Sequence, residues 1–146
     1  MNWFKDQFCV TCDLEKLDFS VITAFLEGSY WARGIPSATV EKSLKGSLCF
    51  ALLDGERQIG FARVISDYAT VAYLGDVFVL PEYRGRGLSK WLLQCVIDHP
   101  ELQGLRRWIL ATNDAHELYK KYGFTALKKP EMFMERHDAN VYGSGT

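Results

Sequence analysis

Between Ser47 and Val96 the chain reads as three successive strands and then, across one glycine-rich turn, a helix; this run narrows the folds open to it. Ser47–Leu53 is apolar on both faces, as in a buried strand. Asp54-Gly55 is a hairpin signal. Gln58–Ile65 is the return strand, and Ser66-Asp67-Tyr68 turns the chain into Val71–Leu80, rich in β-branched and aromatic residues. Pro81 stops that strand. The helix beginning near Gly85 places Leu88, Trp91, Leu92, Cys95 and Val96 at i, i+3, i+4, i+7 and i+8, a one-sided apolar stripe. His99-Pro100 ends it.

The flanks complete the order. Phe4–Cys12 reads as a strand. Val21, Ile22, Phe25 and Leu26 follow helical spacing over Asp18–Leu26, with Asp18 or Ser20 as cap and Gly28 as terminator. Ile35-Pro36-Ser37 opens a second helix through about Leu44, and Gly46 ends it. Arg107–Ala111 is a short strand. Asp114-Ala115-His116-Glu117 resembles a capping box. Ala115, Leu118, Tyr119 and Tyr122 form the next helical face, with Gly123 as a left-handed cap. Phe124–Leu127 and Met132–Arg136 read as two closing strands. The expected order is β-α-α-β-β-β-α-β-α-β-β, a mixed α/β (α+β) fold whose antiparallel meander feeds a strand–helix–strand crossover.

At 146 residues this is one expected domain, 1–146, with an ordered core over about 3–136 and a tail at 140–146. A net charge of −1 argues against a general electrostatic grip on nucleic acid. The N-terminus lacks the basic and apolar regions of a signal peptide. No run approaches the roughly 18 apolar residues of a membrane span, so no membrane partner is expected and the cytoplasm is the expected compartment. Cys9 and Cys12 form a C-x-x-C inside an apparent strand without a second ligand pair, so reduced packing thiols are expected rather than a metal site.

Arg84-Gly85-Arg86-Gly87-Leu88-Ser89 carries the most chemistry. A helix start offers unpaired N–H groups and a partial positive charge to a phosphate. Glycines at 85 and 87 let the backbone approach oxygens that a Cβ would block, and Arg84 and Arg86 sit where charge-assisted contacts are available. Composition alone also allows a glycine-rich turn with solvated arginines. It is neither a Walker A loop nor a dinucleotide fingerprint, for no Gly-Lys-Ser/Thr and no G-x-G-x-x-G occurs.

Val79 to Ser89 resembles the coenzyme A-binding motif of the GNAT superfamily of N-acetyltransferases, with Arg84, Gly87 and Ser89 on the pattern Gln/Arg-x-x-Gly-x-Gly/Ala and Ser89 departing at its last place. Ala115 to Phe124 resembles the family's A-x-x-L/F-Y-x-x-x-G-F block. Thr112 holds the place where the family often has Asn, and Asn113 is its neighbour. The resemblance implies a GNAT-like fold with a splayed central strand pair, in which Val77-Phe78-Val79 pairs its backbone with the pantetheine arm. It implies acetyl-coenzyme A as cosubstrate, cradled by Arg84, Gly85, Arg86, Gly87, Leu88 and Ser89, with Thr112, Asn113 and Tyr119 along the arm.

The implied reaction is direct transfer of acetyl to the primary amine of a small or amino-acid-like acceptor. Tyr119 matches the family's general acid, and a phenol with reference pKa about 10 is protonated at neutral pH. Asp76, an acid among Leu74, Val77 and Phe78, is either the base or half of a buried polar contact. His116 reads as a surface histidine. Such folds build the acceptor pocket from the first two helices and their linker. Here Glu27, Tyr30 and Trp31 are candidates for an ammonium or aromatic amine, or else two aromatics staple the loop to the core. Peptide or protein acetylation and a non-catalytic acyl-coenzyme A sensor are the alternatives. By resemblance the chain is a monomer or a homodimer, the latter through strands around Met132-Phe133-Met134.

Overall fold

A computed structural model of the chain describes residues 1–143. Six strands form one sheet in sequence order: β1 (Asn2–Lys5), β2 (Phe8–Thr11), β3 (Leu48–Asp54), β4 (Arg57–Ser66), β5 (Val71–Val79) and β6 (Arg107–Ile109). The first five pair antiparallel, and β6 joins β5 in parallel. Helices α1 (Phe19–Glu27) and α2 (Ser37–Lys45) precede β3, while α3 (Leu88–Asp98) and α4 (His116–Lys120) flank β6 in sequence. The architecture is the expected mixed α/β fold.

The core lies on both faces of the sheet. Phe50, Leu52, Val64, Leu74 and Val79 pack with Leu88, Leu92 and Val96 of α3. Cys49, Phe61 and Phe78 pack on the other face with Ile22, Leu26, Val40 and Leu44 of α1 and α2. Residues 49 to 52 of β3 therefore serve both layers by alternation, which is why that strand reads as continuously apolar. Asp18 caps α1, its carboxylate accepting from the Val21 N–H at 3.2 Å.

Several expected boundaries move. The Phe4–Cys12 strand is a hairpin instead, because Asp6 takes φ 55 and turns the chain between β1 and β2, pairing Lys5 with Phe8. Aspartate tolerates the left-handed region better than most side chains. Helix α3 starts at Leu88 rather than Gly85, since Gly85 and Gly87 hold φ 82 and 74 and cannot continue a helix. Strand β6 stops at Ile109, two residues short of Ala111. Asp114 does not cap α4: the Thr112 Oγ1 accepts from the Asp114 and Ala115 N–H groups at 3.4 and 3.2 Å.

The two closing strands do not form. Phe124–Leu127 lies outside any strand, and Pro130–Met132 is a single 3₁₀ turn held by the Phe133 N–H on the Pro130 carbonyl at 3.0 Å. Among the described residues β6 consequently has no neighbour beyond it, and the strands suggested for a dimer contact are absent. A cavity of about 570 Å³ opens there, lined by Arg107, Trp108, Phe124, Lys128, Met132 and Phe133 among others. Nor is the expected tail wholly detached, because Tyr142 packs against the α1–α2 layer; residues 144–146 lie outside the described part. No helix among the described residues is long and apolar enough to cross a membrane.

Candidate active site

Strands β5 and β6 touch only at their beginnings, where Val71, Ala72 and Tyr73 pair with Arg107, Trp108 and Ile109. Strand β5 then runs on to Val79 without β6, leaving one edge open. Leu80 donates its N–H to the Ile59 carbonyl on β4 at 2.8 Å. Backbone direction alternates along a strand, so the N–H and C=O of Val79 face the open edge. In agreement, Arg84 Nε donates to the Val79 carbonyl at 3.1 Å.

The open edge ends at the start of α3. Gly87 is the N-cap residue and supplies no side-chain hydrogen bond, so the first-turn N–H groups of α3 are uncapped. A Cβ at Gly85 or Gly87 would meet no protein atom within 4 Å, so both glycines border open space. A concavity of about 190 Å³ lies there, lined by Tyr83, Arg84, Gly85, Gly87, Leu88, Ser89, Lys90 and Leu118. Uncapped N–H groups, accessible backbone and surrounding cations fit a phosphate-bearing ligand.

The turn is braced from behind. The Tyr83 hydroxyl donates to Asp54 Oδ2 at 2.7 Å, and Arg57 pairs with Glu82 at 2.9 Å. The guanidinium carbons of Arg57 and Arg86 stand 5.6 and 5.2 Å from the centre of the Tyr83 ring. The β3–β4 hairpin thus holds the segment from which the glycine turn departs. Lys90 lines this concavity, and Lys121 stands close enough to it that the Lys121 pKa is lowered, first by hydrogen bonding with Lys90 and then by its charge.

Tyr119 lies on α4, half-buried, with its ring edge-on to Phe124 at 5.9 Å. Burial pushes its phenol up to about 12, with smaller contributions from Tyr30 and Asp114, so it carries its proton throughout the neutral range. His116 is exposed.

The α1–α2 linker reaches this region from the opposite layer. The Asn113 N–H donates to the Tyr30 hydroxyl oxygen at 3.2 Å, and the Trp31 Nε1–H donates to Asp76 Oδ1 at 2.7 Å. Tyr30 and Trp31 meet edge-on at 5.1 Å, and Phe25 stacks on Phe78 at 4.0 Å. Asp76 sits at a bulge where Phe61 pairs with Phe78 but Arg63 pairs with Gly75, so Asp76 and Val77 oppose one residue of β4. The extra residue moves the α3-facing positions from Ala72 and Leu74 to Val77 and Val79. It also turns Asp76, at φ 52, toward Arg63, whose Nε donates to its Oδ2 at 2.7 Å.

Tyr30, Trp31, Asp76, Asn113 and, through Tyr30, Tyr119 are thus brought together, whereas Glu27 stays at the exposed end of α1 and contributes its carbonyl to the Gly34 N–H at 3.0 Å. The Thr112 hydroxyl oxygen is occupied by the Asp114 and Ala115 N–H groups in the turn before α4. Sequence reasoning passed over Arg63, Ser47, Tyr83 and Lys90. Arg63 had a signal, being a cation inside the apolar run from Ile59 to Ile65, and such a residue needs a partner.

Solved structures similar to this chain include proteins described as acetyltransferases. A Xanthomonas campestris pv. campestris structure of the GNAT family superposes with a TM-score of 0.92 at 51% identity, covering 95% of this chain and 99% of that one. A Clostridium acetobutylicum protein of the acetyltransferase class, solved with acetyl-CoA, shares the fold at 15% identity and a TM-score of 0.64, covering 89% and 94%. A Gibberella zeae protein bearing an acetyltransferase name is 32% identical over 143 residues, 82% of this chain and 80% of that protein. The class is therefore acyltransferase. The family model described as Acetyltransferase (GNAT) family matches residues 12–124, and the chain belongs to that family.

Proposed function

We propose that this protein transfers acetyl from acetyl-coenzyme A to the primary amine of a small molecule or amino-acid-like acceptor. The observation that carries the reading is continuity: the open edge of β5 leads from the uncapped start of α3 to the region shared by Tyr30 and Tyr119. The first-turn N–H groups of α3, with Gly85 and Gly87, receive the pyrophosphate, and the edge of β5 receives the pantetheine arm.

Acetyl-coenzyme A supplies the activated acetyl group, whose C–S bond is exchanged for a C–N bond to the acceptor. A backbone N–H of the segment Val77-Phe78-Val79 polarises the thioester carbonyl as charge builds on its oxygen. The Tyr119 phenol hands its proton to the departing thiolate and regains one from solvent. The acceptor ammonium gives up one proton to solvent before attack and a second after the C–N bond forms; one of the two is balanced by the proton that Tyr119 regains, and the other is released. Tyr30 and Trp31, both exposed on one side, wall the acceptor and suit an aromatic or cationic amine.

The test is calorimetric titration with coenzyme A and acetyl-coenzyme A, followed by thiol release over a panel of arylalkylamines, polyamines, amino acids and a short peptide. Turnover confined to small amines supports the proposal. Binding without any turnover marks a sensor, preference for the peptide marks a protein acetyltransferase, and no binding removes the reading altogether.

A further inference from the structure

Asp76 is the only acid of β5, and its two carboxylate oxygens point at two donors from different parts of the fold. Oδ2 accepts from Arg63 Nε on β4 and Oδ1 from Trp31 Nε1 on the α1–α2 linker, both at 2.7 Å. The chain of contacts continues behind Arg63. Its Nη1 donates to Ser47 Oγ at 2.9 Å, and that hydroxyl donates to the Ser43 carbonyl near the end of α2 at 2.7 Å. The guanidinium is therefore held in place before it meets the carboxylate, and the side chains of this pair are only 17% and 11% exposed.

The linker needs such a hold. Its base is closed by its own bonds: the Ser29 hydroxyl donates to the Leu26 carbonyl and accepts from the Ala32 N–H, and Gly34 N–H donates to Glu27. Its tip, Tyr30-Trp31, is tied by side-chain hydrogen bonds to Asp76 on β5 and to the Asn113 backbone beyond β6. Those anchors stand on opposite sides of the strand split. The left-handed backbone of Asp76, costly for a residue with a Cβ, aims its carboxylate at the tip.

We infer that Asp76 is a positioning residue for the acceptor site and not the base: its carboxylate fixes Trp31 and, with the Tyr30–Asn113 contact, holds the aromatic tip across the split. This rests on the acetyl-transfer reading above for its kinetic consequence, though not for its geometry. Asp76→Asn removes the charge and, with one acceptor oxygen and an NH2 group, can serve only one of the two donors, the Trp31 indole or the Arg63 guanidinium. Asp76→Ala removes the charge and both acceptor oxygens, and Trp31→Phe keeps a ring without its N–H.

The experiment compares these variants in the full chain, with coenzyme A calorimetry as the check of folding. With phenethylamine as the probe acceptor, Trp31→Phe and Asp76→Ala are expected to raise the acceptor KM about tenfold, the loss of one charge-assisted hydrogen bond, while leaving kcat and the acetyl-coenzyme A KM nearly unchanged. The double variant is expected to be no worse than Asp76→Ala, and Asp76→Asn to raise the acceptor KM no further than Asp76→Ala does, with kcat nearly unmoved. A kcat loss of about 100-fold in Asp76→Asn, with KM unmoved, would overturn the inference and make Asp76 the base. Amide hydrogen exchange over residues 28–34 decides the geometry even if no amine is acetylated. Exchange faster by about tenfold in both Asp76→Ala and Trp31→Phe upholds the tether, and wild-type exchange in both refutes it.

Discussion

Gly87→Ala separates the ligand role of the α3 start from its structural role. Gly87 holds φ 74 and ψ 12 as the N-cap residue, and a Cβ there would find no protein atom within 4 Å. The substitution therefore creates no clash inside the protein. Its cost is the left-handed backbone alone, about 1–2 kcal/mol. In a domain of this size that lowers Tm by roughly 2–8 °C. Gly104 is the control, because it has the same φ of 74 and equally empty surroundings but lies outside the concavity. Both alanine variants should melt earlier by similar amounts. Only at Gly87 does the new methyl project into space assigned to pyrophosphate. Displacing two charge-assisted N–H contacts, at about 1.5 kcal/mol each, weakens coenzyme A binding on the order of 100-fold. Calorimetry at a temperature where all three proteins are folded reads this directly. If Gly87→Ala binds coenzyme A within about threefold of Gly104→Ala, the pyrophosphate assignment is wrong.

Tyr119→Phe should lower kcat by about 100-fold without changing coenzyme A affinity, the range expected for one general acid; full turnover in stopped thiol-release assays would remove that role. Because the Tyr119 phenol sits near 12 and an unfolded phenol near 10, the unfolded chain releases this proton first. Its contribution to stability is intact below about pH 10 and declines as pH rises toward 12, measurable by urea unfolding across that window. Gly60→Ala should destabilise by about 1–3 kcal/mol, since its Cβ would stand 2.9 Å from both Leu52 Cδ2 and the Phe78 carbonyl oxygen; an unchanged urea midpoint would show that β4 and β5 can part there. Burial raises the Cys12 and Cys49 thiols to about 11 and Cys95 to about 12. Native protein at pH 8 should therefore react slowly with a thiol-exchange reagent and rapidly once unfolded; fast native reaction at these positions, read by mass spectrometry, would contradict that.

Most of the fold was readable because its elements follow local rules. The apolar stripe of α3, the meander of β3 to β5 and the glycine turn at 85–87 are set by residues close in sequence. The misreadings have local causes as well. Asp6 turns a segment that alternates like one strand, and the 3₁₀ turn Pro130–Met132 takes the first residue of the expected Met132–Arg136 strand. Composition records that a segment can pair; pairing also needs an edge presented in register.

The sequence by itself determined where the proposed phosphate site stands, since a helix start, its glycines and its arginines are neighbours along the chain. It also marked Tyr119 through the Ala115–Phe124 block. What Asp76 touches was decided only by tertiary structure. Its two partners, Arg63 and Trp31, lie 13 and 45 residues away, and a one-residue bulge in β5 turns the carboxylate toward both. A residue's type shows that it needs a partner, but long-range register and the path of a loop supply one, because hydrogen bonds act over a few ångströms of space whatever the separation along the chain.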